Sequence, residues 1–309
     1  MKLFRGGEER VRSLSRAVFF LLALFTLTAC EQSTERVENQ MSSALIFDAA
    51  EVAAANHLVV FVPGVLSSIQ IFDGAHAHLP SNAAPAFYRL PGLDGTPLSP
   101  WLDISQAAQE IATLAESYSS HNLTLVGYSG GAAIVLEASQ LLSHEHLVNL
   151  ALISPVPAFG GGLETRLRST RDLFSASIRS GSFALDQLWP EYWKLLAFGR
   201  ANYLSGARQE EIEALFSEQR DQIVIPRREI SNAHTQTFQN WDLGEDFDPS
   251  SLRIGVFYGA EDPVFSESQT QALTAKIGGV DALHRYPDQG HILPVTEPNL
   301  FRDIFSFAM

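Results

Sequence analysis

The sequence predicts an α/β domain, with a mostly parallel sheet, helices on both faces and a mainly helical insertion late in the chain. Three observations carry this. Short and almost wholly apolar runs recur, such as Leu58–Val62, Leu123–Val126 and Leu252–Tyr258, and runs of that kind are strands buried on both faces. Segments of helical periodicity lie between them, and alternation of the two types favours a parallel sheet. The chain has 309 residues, 46% of them hydrophobic, enough for one sizeable core.

At the N-terminus, Lys2, Arg5, Arg10, Arg12 and Arg16 precede the apolar run Ala17–Ala29, which ends at Cys30, the single cysteine. A basic start and an apolar run too short for a comfortable membrane span read as a signal peptide over residues 1–29. Residues 30–56 are polar, Ala-rich and weakly patterned, and read as a tether ending in a short helix or extended arm. Strands are then expected at 58–62, 86–90, 122–127, 148–153, 252–258 and 282–286. Asp103-Ile-Ser-Gln106 and Ser266-Glu-Ser-Gln269 have the pattern of capping boxes, each opening a helix. Residues 57–156 and 250–309 thus form the core, and 157–249 an inserted cap. The cap is rich in aromatics, among them Phe159, Phe183, Trp189, Tyr192, Trp193, Phe198, Tyr203 and Phe216. Most are expected to pack the cap, and some to wall a pocket.

The chemistry concentrates at Leu125-Val-Gly127-Tyr-Ser129-Gly130-Gly131, where a buried strand runs through Gly-x-Ser-x-Gly into the helical run Ala132–Leu142. A serine on so sharp a strand-to-helix turn is strained, and the positions two before and two after it admit only very small residues, here Gly127 and Gly131. A serine hydroxyl needs a base within hydrogen-bond reach, and the base needs an acid that fixes its tautomer. The strand 252–258 ends in Gly259-Ala-Glu-Asp262-Pro263, and the strand 282–286 in Pro287-Asp-Gln-Gly290-His291. Asp262 is the expected acid and His291 the expected base. Glu261 adjoins Asp262 as a rival, while the loop one strand earlier, Ile153–Phe159, has no carboxylate.

The elbow, the G-x-x-D turn and the Gly-His loop, in that order, resemble the α/β-hydrolase superfamily from about His57 to the C-terminus. The resemblance implies the α/β-hydrolase fold with an inserted cap and a serine hydrolase, carboxylesterase-like or lipase-like, working through an acyl-enzyme. It also implies an oxyanion hole of two backbone N–H groups, one from Gly130 and one from the loop after the first strong strand. There the chain reads Pro63-Gly64-Val65-Leu66 where the family usually has His-Gly. Since the donor is main chain, Val65 is assigned, with Leu66 as its neighbour. Thioesterase, amidase or peptidase, carbon–carbon hydrolase and cofactor-free haloperoxidase use the same machinery. A non-catalytic lipoprotein that keeps the fold, or a partner-docking factor, is the reading from another class.

The other histidines have structural readings. His76 and His78 have ligand-like spacing without a third ligand, His144 and His146 close the helix after the elbow, and His121 and His284 border or enter strands. His234, in the insertion, has lining a pocket as its alternative to a structural reading, and the structural reading is favoured. No metal or organic cofactor is implied.

Leu27-Thr-Ala-Cys30 resembles the bacterial lipobox, which implies lipidation, palmitate included, at Cys30 and a membrane-anchored protein of the bacterial cell envelope. Glu31 stands where an inner-membrane retention signal would have Asp, so the outer membrane is expected, facing the periplasm or the surface. Removing 1–29 would take the formal charge from −14 to −17, since five basic and two acidic side chains leave. Such a surface repels nucleic acid and anionic lipid headgroups alike, and the expected partner in solution is a small acyl substrate.

Overall fold

A computed structural model describes residues 44–98, 102–143, 148–159 and 162–309. The expected signal peptide, Cys30, His144 and His146 lie outside the described residues.

The seven-stranded sheet has the order β1-β3-β2-β4-β5-β6-β7. Its strands are β1 (Leu45–Phe47), β2 (His57–Val62), β3 (Ala83–Tyr88), β4 (Asn122–Tyr128), β5 (Val148–Ile153), β6 (Leu252–Gly259) and β7 (Ala282–Tyr286). Only β1 runs antiparallel, on β3; every other pair is parallel. β2, β4 and β5 are buried almost throughout, as their unbroken apolar runs require. Alternate residues of one strand feed two cores. Leu58, Val60 and Leu125 join one apolar layer with Ile111 and Ile134, while Val59, Phe61 and Val126 join the other with Phe301 and Ile304.

The helices of the core are α1 (Ala49–Ala54), α2 (Ile104–Ser117), α3 (Gly131–Leu141), α9 (Glu267–Lys276), α10 (Leu293–Thr296) and α11 (Leu300–Ala308). Between β5 and β6 lie α4 (Gly162–Ser180), α5 (Leu185–Phe198), α6 (Arg200–Ser205), α7 (Gln209–Gln219) and α8 (Arg228–Gln239). The Ser266–Gln269 capping box is complete. At α2, Asp103 accepts from the Gln106 N–H, but the Gln106 side chain turns to Glu110 instead of back to the cap.

One local expectation is displaced. β3 begins three residues earlier than expected, passing through Pro85. Proline costs a strand its N–H only where a neighbour would accept it, and Pro85 lies one residue beyond the last β1 partner, Ala86. Residues 45–54, expected as the short helix or extended arm that ends the tether, form the strand β1 and the short helix α1, with Asp48 capping the helix through the N–H groups of Ala50 and Glu51. From Ala44 onward the chain clusters as one compact unit holding the whole sheet and both apolar layers, which makes it a self-sufficient folding unit.

Candidate active site

Parallel strands leave their C-terminal ends at one edge of the sheet, where loops meet and ligands bind. The loops after β2, β4, β6 and β7 carry the predicted residues to that edge. Ser129 leaves β4 with φ of 52°, in the left-handed region that a β-carbon disfavours. It is held there by its N–H to the Ile153 carbonyl at 2.8 Å and its carbonyl to the Val156 N–H at 3.2 Å. The flanking glycines are needed for space. A β-carbon at Gly131 would lie 2.2 Å from the Val62 carbonyl oxygen, and one at Gly127 would lie 2.7 Å from Ala132 Cα.

The structure brings Ser129, His291 and Asp262 together. His291 Nε2 is 3.0 Å from Ser129 Oγ and its Nδ1 is 2.7 Å from Asp262 Oδ2. A carboxylate only accepts, so Nδ1 carries the proton and Nε2 is the free acceptor for the serine hydroxyl. The other carboxylate oxygen, Asp262 Oδ1, accepts from the N–H groups of Val264 at 2.7 Å and Phe265 at 3.0 Å. All three side chains are buried. Glu261 is only partly buried, and Asp288 is exposed on the loop before His291.

Gly64 packs so closely on the elbow that a β-carbon there would meet Ser129 Cβ at 2.7 Å. Of the two candidate donors in this loop, Leu66 is engaged: its N–H reaches His234 Nδ1 at 3.4 Å, and His234 Nε2 lies 2.8 Å from the Pro91 carbonyl. Since a carbonyl only accepts, His234 is protonated at Nε2 and receives Leu66 at Nδ1. The Val65 and Gly130 N–H groups have no acceptor among the described residues. Leu66 itself has φ of 62°, so His234, fully buried, supports a strained turn rather than lining the cavity. Burial lowers its pKa below the usual histidine range, opposed by the bond to Pro91.

A cavity of about 120 Å³ opens on Ser129 and His291. Its walls are largely apolar, with Trp189, Trp193 and Leu196 of α5, Ile223 and Val224 after α7, and Val295 of α10. Of the cap aromatics, Tyr192, Trp193, Phe198 and Tyr203 are buried, but Phe159 and Phe183 face outward, because α4 and its flanks are apolar on their outer side as well. The other histidines among the described residues stay off the site. His76 and His78 are exposed on and beside the 3-10 helix Ile69–Ala77, His121 binds the Val52 carbonyl, and His284 stacks on Phe257. His57 bonds Thr124 at 2.8 Å. Among the described residues no cluster of three or more His, Cys, Asp or Glu has the arrangement of a metal site.

Sequence reasoning missed the residues that hold the acid and base loops. Arg168 of α4 donates to the Asp262 carbonyl at 2.6 Å and to the Pro263 carbonyl at 3.1 Å. The last turn of a helix has carbonyls without intrahelical partners; in α5 those of Leu196 and Ala197 accept from the N–H groups of His291 at 2.7 Å and Gly290 at 3.1 Å. Gly290 is glycine because a β-carbon there would sit 2.3 Å from the Leu196 oxygen. Arg208 donates to the Asp288 carbonyl at 2.6 Å. An arginine aimed at main-chain carbonyls some 94 positions away leaves no local signature.

Residues 59–304 match the model of a family described as the alpha/beta hydrolase family. No curated protein matches the chain significantly. Among solved structures, a thermophilic esterase from Thermogutta terrifontis is 16% identical with a TM-score of 0.61, the alignment covering 88% of this chain and 97% of that one. An enol-lactonase from Burkholderia xenovorans LB400 is 16% identical with a TM-score of 0.62, covering 85% and 95%. A putative non-heme bromoperoxidase from Mycobacterium tuberculosis H37Rv is 16% identical with a TM-score of 0.60, covering 88% and 98%. At such identity the likeness is one of fold.

Proposed function

The chain belongs to the alpha/beta hydrolase family, and from that premise we propose that it cleaves an ester or related acyl bond through an acyl-enzyme intermediate, as a carboxylesterase or small lipase. The observation that carries this reading is the relay from Asp262 through His291 to Ser129, at 2.7 and 3.0 Å. In the reaction, His291 Nε2 takes the hydroxyl proton as Ser129 Oγ attacks the acyl carbon. The resulting oxyanion is met by the unengaged N–H groups of Gly130 and Val65, preorganised donors that need no rearrangement. His291 then gives its proton to the departing alcohol, and the same steps with water release the acid. Asp262 stabilises the imidazolium and holds its ring in place. The apolar wall of Trp189, Trp193 and Leu196 favours an acyl or alkyl chain over a sugar or phosphate.

Two measurements test this. The Ser129→Ala variant is compared with the parent protein on p-nitrophenyl esters of increasing acyl length, and both are treated with a fluorophosphonate. Turnover and labelling that vanish in the variant support the reading, and the best chain length sizes the pocket. A parent protein that neither turns over any ester nor labels would sink it and favour the non-catalytic lipoprotein.

The N-terminal sequence supports placement in the bacterial cell envelope, anchored by lipid on Cys30, with Glu31 favouring the outer membrane. Incorporation of a palmitate analogue, lost in Cys30→Ser, is the expected result. Undiminished incorporation in the variant, or none in the parent, would overturn it.

A further inference from the structure

Fourteen large hydrophobic side chains are exposed among the described residues, and seven of them lie between Phe159 and Leu185. Four sit on α4: Leu163 at 74% exposure, Leu167 at 62%, Phe174 at 49% and Ile178 at 66%. At 100° per residue these positions fall within an arc of about 60°, and they run along roughly 22 Å of helix. Phe183, just beyond the helix, is 67% exposed and brings its ring within 6.5 Å of Phe174. The inner side of α4 is separately occupied, with Asp172 and Ala176 buried. The outer stripe therefore has no partner in the fold, and patches of this kind mark interaction sites.

We infer that this stripe docks on a lipid surface, with α4 lying in the plane of the headgroups. Charge favours that occupant. The chain carries −14 overall, but α4 holds Arg166, Arg168, Arg171 and Arg179 against Glu164 and Asp172. Exposed Arg166 and Arg171 flank the stripe on opposite sides, where their stems lie along apolar surface while the guanidinium groups meet anionic headgroups. A second copy is disfavoured by the same residues, since two-fold pairing of the stripe would bring these arginines against their own kind. The choice of a membrane also rests on the envelope placement proposed above: the folded unit begins only 14 residues after Cys30. No helix among the described residues is long and apolar enough to cross a membrane, so contact would be superficial. Docked in this way, α4 and the neighbouring α5, which carries Trp189 and Trp193, would hold the pocket beside a source of acyl chains.

The test uses residues 42–309, the compact unit without the N-terminal segment, so that docking and anchoring are read separately. Co-sedimentation with phosphatidylglycerol-containing vesicles is compared for this protein, for Leu167→Glu/Phe174→Glu, and for Leu163→Ser/Ile178→Ser. Both pairs are exposed, and a thermal melt confirms that each variant folds. We expect vesicle binding that the glutamate pair weakens more than about tenfold and the serine pair to a smaller degree. Turnover of a water-soluble ester should be unchanged by either pair; absence of turnover in every protein would count against the hydrolase reading alone. The inference is overturned if the parent protein does not bind vesicles or if the variants bind equally. It is also overturned if the parent forms dimers without lipid that the substitutions abolish.

Discussion

Arg168 grips the main chain of the candidate acid: its guanidinium donates to the Asp262 carbonyl at 2.6 Å and to the next carbonyl, Pro263, at 3.1 Å. The carboxylate of Asp262 meanwhile faces the other way, toward His291 at 2.7 Å. An α4 side chain therefore positions a residue of the β6 loop without touching the cavity.

Replacing Arg168 by Met keeps the stem and removes the fork. The expected result is a fall of about tenfold in kcat with KM nearly unchanged, because misplacing a reacting group by a fraction of an ångström costs rate and leaves ground-state binding intact. Arg168→Lys should recover little, since an ammonium cannot span two carbonyls as a planar fork does. Steady-state kinetics on a soluble ester decide it; a rise in KM alone would make Arg168 a substrate-binding residue instead.

The site was legible where its determinants are local, and illegible where they come from afar. Gly127, Ser129 and Gly131 announce themselves because the turn tolerates nothing larger. Gly290 and His291 stand out by their place just after the strand 282–286, although the reason for the glycine, a β-carbon that would sit 2.3 Å from the Leu196 oxygen, comes from a distant helix. Val65 is assigned over Leu66 from its place in the loop, but what engages Leu66 instead is His234, 168 positions away, which leaves no local sign. The structural reading of His234 holds, but its partners, Leu66 and Pro91, leave no mark near it in sequence. β3 was displaced by Pro85, whose exemption depends on where β1 stops. Phe159 and Phe183 read as cap interior because composition cannot distinguish an inward aromatic from an outward one.

Two glycine substitutions should separate steric from conformational demand. At Gly131 a β-carbon meets main chain 2.2 Å away, whereas at Gly206 nothing lies within 4 Å although φ is +70°. Gly131→Ala should cost on the order of 3 kcal/mol or more, as backbone cannot move aside cheaply. Gly206→Ala should cost only about 1 kcal/mol, the strain of the left-handed region. Urea unfolding of both variants measures the difference, and equal losses would refute the steric argument.

His234 should make the fold acid-sensitive. Burial lowers its pKa in the folded chain, so below about pH 6.5 the unfolded chain binds a proton that the folded one refuses. Its contribution to stability is complete above that pH and is lost as pH falls toward the folded value. Protonation would also set two donors, Nδ1–H and the Leu66 N–H, against each other. His57, lowered by burial and then by His121, acts in the same direction. Thermal melts from pH 7.5 to 5 should show a decline that is shallower in His234→Gln by up to about 1.4 kcal/mol per pH unit. Parallel profiles for the two proteins would rule out His234 as the sensor.

Asp262→Asn tests the acid against its neighbour Glu261. The asparagine oxygen can still accept the N–H groups of Val264 and Phe265, now at 2.7 and 3.0 Å from Oδ1, which leaves the amide NH₂ facing His291 Nδ1. A donor there forces the imidazole to bare Nδ1 and protonate Nε2, so the ring no longer accepts the Ser129 proton. Loss of kcat by roughly 10⁴ is expected from a wrong tautomer in such a relay, with the fold retained. Glu261→Gln should leave kcat within about twofold, because its side chain takes no part in the relay. If the two variants exchange these outcomes, the acid is Glu261, and the 2.7 Å contact between Asp262 and His291 is not the one that orients the base.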